Sequence, residues 1–598
     1  MATNKNPRLS QLKTPFETDT TRSWQDYPRP QFKRDSYFSL CGRWQLAVKK
    51  YETAAKVYSR FAFGWASEQQ TDKFTLTELG DIIVPYPPES RISGIERQLK
   101  ENETWLYTKK ITLPEGFVKA KVILHFGAVD THTVVMVNGK LAGTHRGGYT
   151  PFSFDITGLL NNGENTITVE AEDKLDVEFS FGKQTKTRGG MWYTPVSGIW
   201  QPVWMESVCE SHIESIRLTP DMDSVTVETV GGVAEKTMVI NTPAGYVTHT
   251  FTGDKTTVKI ADPVNWTPDN PYLYEFTLYS GEDKVDSYFA LRTVTIEEVK
   301  GQKYICLNGK PFFFHALLDQ GYFSDGIYTP ATPQGFEYDI LTMKRLGYNT
   351  LRKHIKVEPD LFYYYCDKYG MLVFQDMMNT GVYNFIIDTA LPTIGLKRGI
   401  THKPSRLRRE FFEKECREIA DLLYNHPSLV YYTIFNEGWG QYEADRNYAE
   451  LKAYDPTRIW DATSGWFFEK DSDVDSHHIY FRKVKLKAKP SRPLVLSEFG
   501  GYSHKVEGHS FNLDNEYGYK KFSSTEELSQ GLCDMYLDEI VTAIGNGLNA
   551  AVLTQVSDVE DETNGLVTYD RQVIKVDEKA MQDMAQRLYT AFEHKLNG

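Results

Sequence analysis

Residues 426–440 read HPSLVYYTIFNEGWG, and the reading of this stretch decides the fold. Val430 to Phe435 is an unbroken run of β-branched, aliphatic and aromatic residues, so Leu429 to Glu437 reads as a strand that must be buried. Upstream, Arg406 to Tyr424 reads as a helix. Downstream, a helix over 442–453 leads into a strand from Ile459 to Ser464. The same alternation extends in both directions. Phe312 to His315 is a compact apolar run, and Thr332-Pro333 opens a helix with Phe336, Ile340 and Met343 on one face, closed by Gly347. Strand Asn349 to His354, a helix over 358–369 and strand Met371 to Asp376 follow. Beyond Ser464 come strands Val474 to Tyr480 and Pro493 to Glu498, helix 525–544, strand Asn549 to Ser557 and helix 577–595. Ser524 and Glu527 stand at capping-box spacing at the start of helix 525–544. Eight strands, most followed by a helix, in about 300 residues predict a (β/α)₈ TIM barrel over 298–598. No helix separates the fifth strand from the sixth.

The rest of the chain is β-rich. Up to residue 208, strands such as Lys121 to Phe126 and Thr133 to Val137, with a hairpin turn at Asn138-Gly139, predict an antiparallel jelly-roll sandwich over 1–208. Residues 209–297 carry short strands at Ile213 to Leu218, Ser224 to Thr229, Thr256 to Ile260 and Tyr274 to Tyr279, which suits an immunoglobulin-like sandwich. The expected fold class is therefore multidomain, β plus α/β.

Composition narrows the function. Aromatic residues make up 13% of the 598, with 11 Trp and 36 Tyr, which suits ring-stacking ligands as well as sandwich cores. The net charge is −13, with both signs interspersed. The one basic run, from Lys397-Arg398 through Lys403 to Arg406, Arg408 and Arg409, is broken by apolar residues and reads as a solvated face. No nucleic-acid partner is expected. Six scattered Cys give neither a zinc ligand spacing nor a disulfide framework. No apolar leader or membrane-length segment is present, so a cytoplasmic setting without membrane attachment is expected. Self-association into a homo-oligomer is left open.

Barrels place their chemistry at the C-terminal ends of strands. Here those ends carry Arg352 and His354, Asp376, Asn436-Glu437 with Trp439, His478 and Tyr480, Glu498, and Gln555. Two glutamates ending hydrophobic strands need an account, because unpaired buried carboxylates cost several kcal/mol. A salt bridge to a neighbouring Arg would supply one. The other is catalysis. Strands four and seven face each other across an eight-stranded barrel, so Glu437 and Glu498 can flank one bound group as acid and nucleophile, the pair that glycoside cleavage needs. Arg352 and Tyr480 are expected to hold the nucleophile ionised. Trp439 and Trp466 offer flat faces for a sugar ring. Gly545-Asn546-Gly547-Leu548-Asn549-Ala550 matches a dinucleotide fingerprint but lies between a helix and a strand, the wrong order for that motif.

At this point the chain resembles glycoside hydrolase family 2, the family of β-galactosidases, β-glucuronidases and β-mannosidases. The resemblance rests on LHFGAVDTHTVVMVNGKLAGTHRGGYTPFSFDIT (124–157), TPVSGIWQPVW (194–204), HPSLVYYTIFNEGWG (426–440) and PLVLSEFGGY (493–502). It implies a retaining exo-β-glycosidase with Glu437 as acid/base and Glu498 as nucleophile, and Asn436 contacting the sugar 2-hydroxyl. Arg352, His354, Asp376, Trp439, Trp466, His478, Tyr480 and Gln555 complete the expected carbohydrate-binding set. The family often reads R-x-S-H at strand two, whereas this chain has Arg352-Lys353-His354. The magnesium-site E-x-H of large family galactosidases is replaced by Asp376-Met377-Met378-Asn379, so no metal and no cofactor is expected. His402, His504 and His509 are placed at the surface or in loops. Members that cleave uronides share an N-K-K-G segment, and the corresponding stretch here is Glu562-Thr563-Asn564-Gly565. A neutral sugar is therefore expected, β-galactoside first, with β-glucuronide, β-galacturonide and β-mannoside as alternatives. A catalytically inactive carbohydrate-binding protein is the alternative of another class.

Overall fold

The computed structural model of the chain describes residues 12–52, 73–394, 403–467, 469–512 and 514–598; Lys397, Arg398 and His402 lie outside them. The first β-rich region is a sandwich of a six-stranded and a four-stranded antiparallel sheet, packed over Trp44, Trp105, Tyr107, Leu124 and Phe126. Asn138 and Gly139 join its strands His132–Val137 and Lys140–Arg146, with φ of 52° and 74°. Two consecutive left-handed residues are the turn that matches strand twist, and Asn-Gly adopts it at low cost.

The second region pairs a three-stranded sheet with a four-stranded one. A hairpin, Val294–Val299 and Gln302–Leu307, then leads to the barrel, so the border drawn at 297/298 falls inside a strand. Ile305 of that hairpin and Trp266 share one buried cluster with the barrel residues Phe314, Ala316, Phe374, Val495 and Val552.

Eight parallel strands form the barrel: Phe314–Asp319, Thr350–Lys353, Leu372–Asp376, Leu429–Asn436, Ile459–Ser464, Asp475–Ile479, Leu494–Gly500 and Leu548–Thr554. Every neighbouring pair is hydrogen-bonded except the fifth and sixth, which are linked without a helix. The ladder opens at that seam. The first strand begins two residues later than its apolar run suggested, because Phe312 N–H still bonds Ile305 O of the hairpin. The helix expected over 525–544 is interrupted by a π turn, Tyr536–Ile540. There the buried Tyr536 ring packs edge-on against Phe499 and His315. His504 is a correction: it sits on strand Tyr502–His504 and is buried, with Nδ1 3.2 Å from Phe522 O. All six cysteines are free. Among the described residues, no helix is long and apolar enough to cross a membrane.

Candidate active site

The strand ends converge on Arg352. This wholly buried side chain donates from Nε to Asp376 Oδ1 at 2.9 Å and from Nη1 to Glu498 Oε1 and Ser497 O, both at 2.9 Å. Its Nη2 reaches Asn436 Oδ1 at 2.9 Å and Ser464 Oγ at 3.2 Å. One guanidinium therefore ties together the ends of barrel strands two, three, four, five and seven. Its planar fork suits that task where an ammonium would not. Asp376 also holds His354 through Oδ2, 2.7 Å from Nδ1.

Glu498 takes a second hydrogen bond at Oε2, from the Tyr480 hydroxyl, which also lies 2.9 Å from Thr554 Oγ1. Burial alone would raise the Glu498 pKa. The charges of His478 and Arg352 and the Tyr480 hydrogen bond outweigh it and hold the carboxyl at about 2. Asp376 is likewise brought to about 2, with burial opposed chiefly by Arg352 and His354. Glu437 is placed differently. Its Oε1 lies 2.8 Å from His478 Nδ1, and His478 Nε2 lies 3.6 Å from Glu498 Oε1. His478 thus stands between the two carboxylates, and one carboxylate oxygen of each glutamate and one ring nitrogen of His478 lie within 4.8 Å of one another.

Local backbone aims these groups. Strand pairing slips between His477 and His478, and again between Leu496 and Phe499. Such bulges re-aim side chains at barrel rims. Glu437 leaves its strand at φ 53°, a left-handed conformation that costs a non-glycine residue about 1–2 kcal/mol. Gly438 follows at φ 74°, where a Cβ would meet the Phe467 ring at 2.1 Å.

The cavity above has a volume of about 330 Å³. Of the residues singled out in the sequence, Glu437, Glu498, His354, Trp466 and Tyr480 line it. Arg352, Asp376, Asn436, His478 and Gln555 do not; they are buried in the wall and hold those that do. Gln555 accepts from Gln320 Nε2 at 2.9 Å, and Gln320 reaches the cavity. Trp439 is placed otherwise than expected. It is buried, its Nε1 donates to Gly381 O at 2.9 Å, and its ring meets Trp192 and Tyr383 edge-on, so it supports the wall instead of facing a sugar.

Sequence reasoning missed Lys183 and Met191, which enter the cavity from the first β-rich region, and Tyr517 and Tyr519 from the loop after strand seven. Glu562, in the stretch that stands where uronide-cleaving members have N-K-K-G, was named in the sequence without being placed. Glu562 lines the cavity, accepts from Tyr193, and has a raised pKa because burial exceeds the stabilisation from Tyr193 and Lys183. Nothing local marks Lys183, which lies 135 residues (318 − 183) before Leu318, the first barrel residue of the cavity.

Two β-sandwiches leading into a barrel whose opposed strand ends present two carboxylates, one clamped by Arg and Tyr, define a multidomain sandwich-and-barrel architecture. Residues 86–193 match the glycosyl hydrolase 2 galactose-binding domain-like model, and residues 298–587 match the glycosyl hydrolases family 2 TIM barrel domain. The chain belongs to glycoside hydrolase family 2. It is 29% identical to the β-galactosidase of Thermoanaerobacter pseudethanolicus over 295 residues, 45% of this chain and 39% of that one. It is 22% identical to the β-galactosidase of Priestia megaterium over 544 residues, 83% of this chain and 50% of that one. The chain thus spans half or less of the length of these relatives. A solved β-glucuronidase from an uncultured Clostridium sp. superposes with a TM-score of 0.70 at 19% identity, covering 94% of this chain and 99% of that chain, a likeness of fold.

Proposed function

We propose that the chain is a retaining exo-β-glycosidase with Glu498 as nucleophile and Glu437 as acid/base. The observation that carries this is the asymmetry of the pair: Glu498 takes hydrogen bonds from both Arg352 and Tyr480, while Glu437 has the His478 ring beside it and, among the described residues, no Arg or Lys paired with it. Carboxyl groups roughly 5 Å apart leave no room for a water between nucleophile and sugar, which is the retaining geometry. Glu498 attacks the anomeric carbon as Glu437 gives its proton to the departing glycosidic oxygen. Glu437 then takes a proton from water, whose oxygen displaces Glu498. Asn436 Oδ1 accepts from Arg352 and Ser464, so Asn436 steadies the Arg352 fork that clamps Glu498. No step of this double displacement calls for a metal. Glu498→Gln is expected to abolish turnover. Glu437→Gln should slow alkyl glycosides by roughly 10²–10⁴-fold and dinitrophenyl glycosides far less, since an acidic phenol leaves without a proton. Equal losses on both substrate classes would overturn the acid/base role.

The sugar in this reading is a neutral hexose, with a terminal β-galactoside first. Glu562 lines the cavity where a uronate carboxylate would be repelled, and Asn564 Nδ2 donates to Glu562 at 3.0 Å from a buried position. Neither Arg352 nor Lys356 is a spare cation, because Lys356 Nζ is engaged by Glu358, Gly321 O and Tyr328 O. One observation favours a second reading, a β-uronide: Lys183 lines the same cavity. Comparing kcat/KM on p-nitrophenyl β-galactoside, β-glucuronide and β-galacturonide decides between them. A uronide cleaved more efficiently than the galactoside assigns Lys183 to the sugar carboxylate.

A further inference from the structure

Large apolar side chains that are mostly exposed line this cavity. Phe385 is 61% exposed, Ile394 73% and Phe481 76%, although all three line the cavity that holds Glu437 and Glu498. Polar groups gather on the Glu498 side, where His354 and Glu562 both act on Glu498. Gln320 bonds Gln555, Lys183 acts on both Glu562 and His354, and His354 is held by Asp376. The aromatic residues beside Glu437 continue the apolar side: Trp466 packs edge-on against His478, the partner of Glu437, and Tyr383 lines the same cavity. Phe481 follows Tyr480 and packs edge-on against Tyr519.

The two ends have different tasks once the catalytic roles are assigned. The sugar needs hydrogen bonds, and the group leaving past the acid/base lies against the apolar end. We propose that the leaving-group side of the cavity is built for an apolar aglycone, an aryl or alkyl alcohol, and not for a second sugar. This rests on the proposed glycosidase reading and specifies its substrate. A sugar as leaving group would press its hydroxyls against Phe385, Ile394 and Phe481 without partners, which is unfavourable. An aryl or alkyl group would instead cover their exposed faces and withdraw apolar surface from water.

The test uses glycosides of one sugar: methyl, butyl and hexyl β-glycosides, whose leaving alcohols have similar acidity, and the disaccharide with glucose at the leaving position. In the wild-type protein kcat/KM should climb along the alkyl series, by up to roughly fourfold per methylene, and the hexyl glycoside should surpass the disaccharide. In Phe385→Ala/Phe481→Ala the hexyl-to-methyl ratio should fall roughly tenfold or more. That ratio is insensitive to the fraction of active protein. A disaccharide cleaved as well as the hexyl glycoside, or a flat alkyl series, overturns the inference while leaving the glycosidase reading intact. A ratio unmoved by the substitutions, with a dimer that they dissociate, assigns the mouth to a second copy and also overturns it. Failure to cleave any member defeats the underlying reading, and with it the inference.

Discussion

At Glu498 the chemistry is decided by which neighbours carry charge. Its pKa near 2 comes from His478, Arg352 and Tyr480 acting against burial, so the folded group keeps its charge well below the ordinary Glu value of about 4.3. The ionised form is the nucleophile, so protonation of Glu498 should not limit kcat/KM until the pH falls below that ordinary value. Tyr480→Phe removes one hydrogen bond to the charged form, which raises the folded pKa. Its acid limb should therefore lie at higher pH than that of the wild type. The rate at neutral pH should fall about 10- to 100-fold, as expected for a hydrogen bond to a charged group. A pH profile of kcat/KM for the two proteins checks this, and an unmoved acid limb would contradict the clamp. Glu498 and Glu437 were legible in the sequence because each ends a run too apolar to expose. Lys183 was not, because no local pattern couples a loop of one domain to the mouth of another.

The elements were legible where periodicity and punctuation agreed. Helix Thr525–Met535 opens as its Ser-x-x-Glu spacing predicts, with Ser524 Oγ accepting from Glu527 N–H at 3.2 Å. In the reciprocal bond, however, it is Ser523 N–H that donates to the Glu527 carboxylate, at 3.0 Å. The π turn that follows was hidden because Leu528, Leu532 and Met535 keep a helical spacing up to its edge. What breaks the regular helix is the seating of the Tyr536 ring among Phe499, His315 and Tyr348, residues far away in sequence. Trp439 was misread for a similar reason. It follows Asn436-Glu437-Gly438 at the barrel mouth, but the turn made by Glu437 and Gly438 swings it towards Trp192, Tyr383 and Gly381. The missing helix between strands five and six, visible in the sequence, became the seam in the ladder.

Across the whole molecule, the first β-rich region is fastened to the barrel by contacts that sense pH. Ser180 of the segment leading to Lys183 donates to Glu415 Oε2, on helix Arg406–Leu423, and the other carboxyl oxygen of Glu415 is buried without a hydrogen-bond partner among the described residues. Burial pushes the Glu415 pKa up to about 8, the Ser180 hydrogen bond opposing it only in part. An acid raised in the folded state binds a proton that the unfolded chain has released, so its effect on stability grows unfavourable as pH rises from about 4.3 to 8. Glu415→Gln removes that dependence. Its Tm should fall less than the wild-type Tm between pH 5 and 8, and parallel declines would contradict the assignment. The same contacts hold in place the segment that brings Lys183 and Met191 to a cavity otherwise built from the barrel. The central claim, that Glu498 becomes covalently bonded to the sugar, is tested most directly by trapping. A 2-deoxy-2-fluoro-β-glycoside with a dinitrophenolate leaving group forms the glycosyl-enzyme faster than it is hydrolysed. The account predicts one equivalent of label per chain, recovered by peptide mass spectrometry on Glu498. Label on Glu437, or turnover of an ordinary β-glycoside with inversion and no adduct, would contradict it.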